Sequence, residues 1–182
     1  MGASTIPAAS AGKTRFTTTL TSGTSYTVPA GVTYLNVTLI GGGGGGASSP
    51  SGSTSSAPVA GSTGGTTTFT GATSATGGIG APTYFNPGAN CQNAAGISAT
   101  ANSGLGGNTA SSVGGTASTY YVVGAGTSAG EPGQIVTSTL AATAGASITY
   151  AIGAGGAGGV NAVSGQNGGT GGSGRIEVEY WV

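Results

Sequence analysis

The side chains that carry most enzyme chemistry are nearly missing from this chain. It has no His and no Asp, a single Cys at Cys91, and three carboxylates, Glu131, Glu177 and Glu179. Without His or Asp there is no Ser-His-Asp or Cys-His arrangement to raise a nucleophile. One thiol cannot build a zinc or iron site, nor an internal disulfide framework. A glycosidase needs two carboxylates flanking one bond. Glu177 and Glu179 share a strand face and would stand ~7 Å apart by strand rise. Their setting, opposite an apolar face and within reach of Lys13 and Arg15, reads as a solvated exterior instead. The run Gly41 to Gly46 follows a strand, but no Lys-Ser/Thr follows it, so it is not a phosphate loop. These residues predict a non-enzyme with no catalytic residues, no metal and no cofactor.

Chemistry for binding is present. Tyr84, Phe85, Tyr120 and Tyr121 lie in or beside glycine-rich stretches with poor core periodicity. Tyrosine is favoured at binding surfaces because it offers large, rigid, amphipathic area at low entropy cost. Asn86, Asn90, Gln92 and Asn93 add amide donors and acceptors near Tyr84. Together Tyr84, Phe85, Asn86, Asn90, Gln92, Tyr120 and Tyr121 suit a sugar or a loop of an outer-membrane protein; the competing reading makes the aromatics staples of a thin core. Tyr26, Tyr34, Tyr150, Tyr180 and Trp181 lie in strand patterns and are expected to be structural.

Charge bounds the partners. Lys13, Arg15 and Arg175 are the only cations, the formal net charge is zero, and no basic stripe exists for a nucleic-acid backbone. No apolar run reaches membrane-spanning length, so membrane insertion is not expected. The N-terminus carries no charged region followed by an apolar one, and Ile6 stands where a myristoylation signal wants a hydroxyl. Synthesis in a bacterial cytoplasm without secretion fits these features. Leu, Ile, Val and Phe make only 28 of 182 residues, whereas Gly supplies 41. A conventional core is thin at that level. Cohesion must then come from backbone hydrogen bonds and close backbone packing, which glycine permits. A homo-oligomer, a trimer being favoured, is a second source of buried surface.

The elements that must position these residues follow from the patterning. Residues 1–12 read as an arm and a docking segment; 13–182 read as one glycine-rich β domain. Arg15 to Leu20, Ser25 to Val28 and Thr33 to Ile40 alternate with period two, and with their short turns they read as a meander. Thr66 to Thr70 is a short strand candidate, and 82–93 reads as an ordered loop. Strands return at Gln134 to Leu140, Ser147 to Ile152 and Arg175 to Val182. In the last, Ile176, Val178, Tyr180 and Val182 face inward and Glu177 and Glu179 outward. The first and last strands are expected in one sheet, with Arg15 beside Glu177 or Glu179, and Leu35, Val37, Ile176 and Val178 in one core. Nothing of helical length carries a 3.6-residue period.

Glycine itself has a phase. Gly153, Gly156, Gly159, Gly165, Gly168, Gly171 and Gly174 recur every third residue, broken only by Ala162. A polyproline-II helix has three residues per turn, so this spacing gives it a bare edge along which backbones can approach and bond. Collagen is excluded because no proline lies in 153–174. A flexible linker would need no phase. The fold class expected is therefore all-β: a small antiparallel β-sheet or sandwich with glycine-rich, polyglycine-II-like segments and long loops. An ice-binding reading of such segments would need a flat, repeated Thr/Ser/Ala face, and Val160, Asn161, Gln166 and Asn167 are too mixed for it.

The chain also resembles the glycine-rich domain of bacteriophage tail-fibre proteins. The residues that carry the resemblance are Tyr26-Thr27-Val28-Pro29-Ala30-Gly31-Val32 running into Val37-Thr38-Leu39-Ile40-Gly41, then Gly64-Gly65-Thr66-Thr67-Thr68-Phe69, then Ile148-Thr149-Tyr150-Ala151-Ile152-Gly153, and the closing Gly174 to Trp181. They cover about 13–182 in order. A looser similarity is to tail-tip adhesins of T-even-like phages, whose glycine-rich segments form stacked polyglycine-II helices that display receptor loops. The resemblance implies a virion protein at or near the tail-fibre tip that binds a host surface glycan or outer-membrane protein. The alternative is a purely structural virion component, such as a capsid decoration, collar or fibre cap. Family members often carry this domain at the end of a long fibre. A chain that starts at Met1 without a shaft is expected to be a separate subunit docked on another virion protein, of tail fibre or capsid.

Overall fold

A computed structural model describes residues 12–48, 59–82, 84–90, 123–126, 130–160 and 167–182. The architecture is all-β, with no helix among the described residues. The strands are β1 (Arg15–Leu20), β2 (Ser25–Thr27), β3 (Tyr34–Ile40), β4 (Thr68–Phe69), β5 (Tyr84–Asn90), β6 (Val123–Gly126), β7 (Ile135–Ala141), β8 (Ser147–Ala151) and β9 (Arg175–Trp181). One sheet has the order β1-β9-β3-β7 and a second the order β2-β8-β4; all pairs are antiparallel. β5 and β6 form a separate two-stranded ladder.

The expected meander is not what forms. β1 pairs with β9, β2 with β8, and β3 with both β9 and β7. Period-two alternation tells which face of a strand is apolar, not which strand lies beside it. Here the connections after β1 and β2 are arches that cross from one sheet to the other. Gly23 and Gly31, both with positive φ (95° and 80°), turn the chain there. The crossing lets apolar faces from both sheets meet. Leu35, Val37, Leu39, Ile176 and Val178 from the four-stranded sheet pack against Tyr26, Val28, Phe69 and Tyr150 in one buried cluster. Phe69 stacks on Tyr150 at 6.4 Å between ring centroids and leans against Tyr26 at 6.2 Å. First and last strands do share a sheet, and Arg15 forms an ion pair with Glu179.

Beyond the sheets the glycine-rich chain packs backbone to backbone. Segment 41–48 is buried throughout. Its N–H groups donate in three repeating directions. Gly41 and Gly44 bond Gln134 O and Glu131 O; Gly42, Gly45 and Ser48 bond Gly65 O, Ser62 O and Val59 O; Gly43 and Gly46 bond Gly172 O and Gly169 O, all at 2.8–2.9 Å. Its carbonyls accept from Gly78 and Ala81 on one side and from Gly156 and Gly159 on another. Five segments thus surround 41–48, in the order 130–134, 77–81, 59–65, 153–159 and 168–174, and each is bonded to the next. Every ladder advances three residues per bond. Close approach leaves no room for a Cβ: one added at Gly45 would lie 1.9 Å from Ala157 O, and one at Gly156 2.0 Å from Ser62 O.

Sheet and segments are joined at a buried hydroxyl. Thr67, fully enclosed, donates its Oγ1 to Ile40 O at 2.7 Å and accepts from Gly153 N at 3.0 Å. The strands β3, β7, β8 and β9 therefore run straight into, or out of, the glycine segments.

Candidate functional site

The six segments have two unlike ends. At one end they meet the sheets, where Ile40 continues into Gly41, Gln134 into Ile135, Ile152 into Gly153 and Gly174 into Arg175. At the other end Ser48 lies beside Val59, held by Ser48 N to Val59 O at 2.9 Å and Val59 N to Ser48 Oγ at 2.8 Å. Gly159 bonds Gly46 O and accepts from Gly168 at that same end. Ala81 and Glu131 close the set through Gly45 O and Gly44 N. The chain leaves and re-enters this far end between 48 and 59, between 82 and 130, and between 160 and 167.

The ladder of β5 and β6 follows directly from there, two residues past Pro82. Tyr84 pairs with Gly126, Phe85 with Ala125 and Asn90 with Val123, with a register shift between Phe85 and Asn90. Pro87 and Gly88 explain the shift: proline offers no N–H to a ladder, and glycine in a strand marks a bulge. The same two residues break the alternation, which is why 82–93 reads from sequence as a loop whereas Tyr84–Asn90 is a strand. Of the candidate binding residues, Tyr84, Phe85, Asn86 and Asn90 lie along β5, with Tyr84 and Asn90 at its two ends. Gln92, Tyr120 and Tyr121 lie outside the described residues.

Two of the three carboxylates are engaged. Glu179 pairs with Arg15, and Glu177 with Arg175 at 2.7 Å. Among the described residues no group of three or more His, Cys, Asp or Glu gathers to hold a metal. Two shallow hollows flank β8, of about 360 and 430 Å³. Hydroxyls contribute to both walls, through Thr68, Thr70, Ser74 and Thr149 in one and Thr21, Ser22, Thr24 and Ser173 in the other, and no charged side chain lines either.

Of the strand aromatics expected to be structural, Tyr26 and Tyr150 are buried and Tyr180 stacks on Phe16 at 5.4 Å. Tyr34 does not follow them: it is 62 % exposed on the outer face of the four-stranded sheet. The signal was in the sequence, because Tyr34 alternates with Leu35 and shares its parity with Asn36 and Thr38. Comparison of the chain with protein-family models, with curated proteins and with solved structures gives no match.

Proposed function

We propose that this chain is a non-enzymatic virion protein of a tailed bacteriophage, acting at or near the tail-fibre tip, in which six polyglycine-II helices form a rigid block between a β-sandwich and a receptor-binding end. The three-residue step of every ladder supports the polyglycine-II assignment, since that helix has three residues per turn and no internal hydrogen bonds. The observation that carries the functional reading is the polarity of the molecule. The stretches between 48 and 59, between 82 and 130 and between 160 and 167 all join the block at its end farthest from the sheets. Binding residues usually sit on loops held by a rigid scaffold, and this arrangement gives one. Tyr84, Phe85, Asn86 and Asn90 of β5 then supply stacking and amide contacts toward a host glycan or an outer-membrane protein, with Gln92, Tyr120 and Tyr121 from the same excursion. A neutral chain suits recognition by shape and stacking more than by long-range attraction. Homo-oligomerisation, favouring a trimer, and docking on another virion protein through the 1–12 arm complete the reading.

The test replaces Tyr84, Phe85, Tyr120 and Tyr121 by Ala in separate particles and measures adsorption to the host. At least one variant is expected to assemble normally, melt like the parent and adsorb more slowly. Variants that all assemble and adsorb like the parent would make the chain a structural virion component instead.

A further inference from the structure

We infer that the outer face of the four-stranded sheet, at its end remote from the glycine segments, is a platform for a neutral, ribbon-like glycan of the β-1,4-linked hexopyranose class. This site goes beyond the reading above and shares no residue with it. It begins with Tyr34, whose ring keeps 62 % exposure although it sits in a well-paired strand. On the neighbouring strand Trp181 occupies the same face, opposite Arg15. The β3–β9 register ends at the pair Asn36 and Glu179, and Tyr34 and Trp181 each lie two residues beyond it on the same face. The two largest aromatic side chains of this face therefore stand at the same end of adjacent strands.

Polar groups of matching chemistry lie one row away. Thr139 Oγ1 donates to Asn36 Oδ1 at 2.8 Å, which turns the amide so that its NH2 is presented elsewhere. The Glu179 carboxylate is held by Arg15 through Oε1 and keeps a second oxygen. An amide donor, a carboxylate acceptor and flat aromatic rings are what a pyranose asks for. Its C–H face covers a ring, and its hydroxyls take the polar partners.

Two observations choose the occupant. Within the four strands charge cancels pairwise, Arg15 against Glu179 and Arg175 against Glu177, with Lys13 standing just before β1 outside the paired set, so the strands themselves favour a neutral ligand. Aliphatic anchors of the kind that fill the centre of a protein interface are missing beside Tyr34, where the neighbours on β3 and β7 are Asn36, Thr139 and Ala141; exposed Ile135 sits at the other end of β7. The ladders of β1, β9, β3 and β7 run without a register shift. An even face matches a glycan whose sugar rings lie in an extended ribbon better than one that coils.

Trp181 is the only tryptophan in the chain, so intrinsic fluorescence reports on this face. The full chain is titrated with cellohexaose and chitohexaose, and with maltohexaose as the coiled α-1,4 counterpart. A saturable change in emission is expected with at least one β-1,4 hexasaccharide, and weaker binding of maltohexaose. Affinity should fall about ten-fold or more in Tyr34→Ala, which corresponds to about 1.4 kcal/mol. Asn36→Ala should also weaken it, and Tyr84→Ala should leave it unchanged. Each variant is checked for the parent's melting curve, and Asn36→Ala stands in if Tyr34→Ala does not fold. Absence of a saturable change with both β-1,4 sugars up to millimolar concentration would overturn the proposal. So would parental affinity in folded Tyr34→Ala and Asn36→Ala, or light scattering that shows this face closed within an oligomer insensitive to the sugars. Loss of adsorption in the β5 variants with sugar binding intact would leave this site standing by itself.

Discussion

Tyr26 shows how much a single buried group can tell. Its ring belongs to the core, at 8 % exposure, yet its hydroxyl is enclosed with no hydrogen-bond partner among the described residues. Burial pushes the phenol above its ordinary value, and nearby Tyr180 pushes it the same way. A raised value in the folded state means the neutral form is favoured by folding. Stability from this group is therefore complete below the unfolded value of ~10 and is lost as pH rises through the folded one. Tyr26→Phe removes the hydroxyl while keeping the ring. We expect it to be neutral or stabilising by about 1 kcal/mol near pH 8, because an unsatisfied buried polar group costs about 1–3 kcal/mol. The variant should also lose less stability than the parent between pH 9 and pH 11, values chosen around the ordinary phenol pKa of ~10. Thermal melts at the two pH values check this; a variant that tracks the parent's alkaline loss would refute it. That Tyr26 faces inward was legible, because it shares parity with Val28 across Ser25 and Thr27. The buried hydroxyl of Thr67 was not, since Thr66-Thr67-Thr68 offers no contrast of polarity from which to choose a face.

At the scale of an element, the glycine segments invert the usual rule that glycine loosens structure. Ordering glycine costs more backbone entropy than ordering any other residue. Here that cost is met by ladders that only glycine allows, because the backbones lie too close for a Cβ. Gly156→Ala would set its methyl carbon 2.0 Å from Ser62 O and 2.8 Å from Gly45 N, atoms of two different segments. Neither can retreat without breaking its own ladder. We expect a loss of more than the ~0.5–3 kcal/mol typical of a single substitution, and a chain that melts without cooperativity is within expectation. Ala154→Ser, at an exposed position of the same segment, should stay within about 0.5 kcal/mol. Denaturant melts of the two variants side by side make the measurement, and equal midpoints would argue that the segments are loosely held. The phase of Gly153 to Gly174 announced bare edges in the sequence. It could not announce that Gly41 to Gly46 is the middle of the set, because an unbroken glycine run has no phase and its partners lie as far away as 172.

For the whole molecule, what was legible was the strands of the two larger sheets and the inward parity of β1, β3 and β9; what was not was the β5–β6 ladder and the wiring. Alternation predicted that Arg15–Leu20 and Arg175–Trp181 would share a sheet, but not that β9 would lie between β1 and β3, nor that the first three strands would split between two sheets. Partner choice depends on which apolar faces can be closed together, and that is decided by residues distant in sequence. Arg15 and Glu179 stand 164 positions apart and still form an ion pair. This wiring makes the C-terminal strand structurally central. β9 is bonded on both sides, contributes Ile176 and Val178 to the core at no exposure, and is led in by Gly174, whose N–H bonds Gly153 O. Deleting 175–182 would strip β1 of its partner and uncover Val37 and Leu39. We expect the truncated chain to lose cooperative unfolding altogether, whereas deletion of Val182 alone, half exposed at the strand's end, should cost about 1 kcal/mol or less. Because the first strand must find the last, refolding of the intact chain should also be slow, on the order of milliseconds to seconds as for other sheets built from distant pairings. Denaturant melts and stopped-flow refolding test both statements. A truncated chain that melts sharply at the parent's midpoint would mean that the sandwich closes without its last strand, and that the β1–β9 pairing is an accessory to the fold.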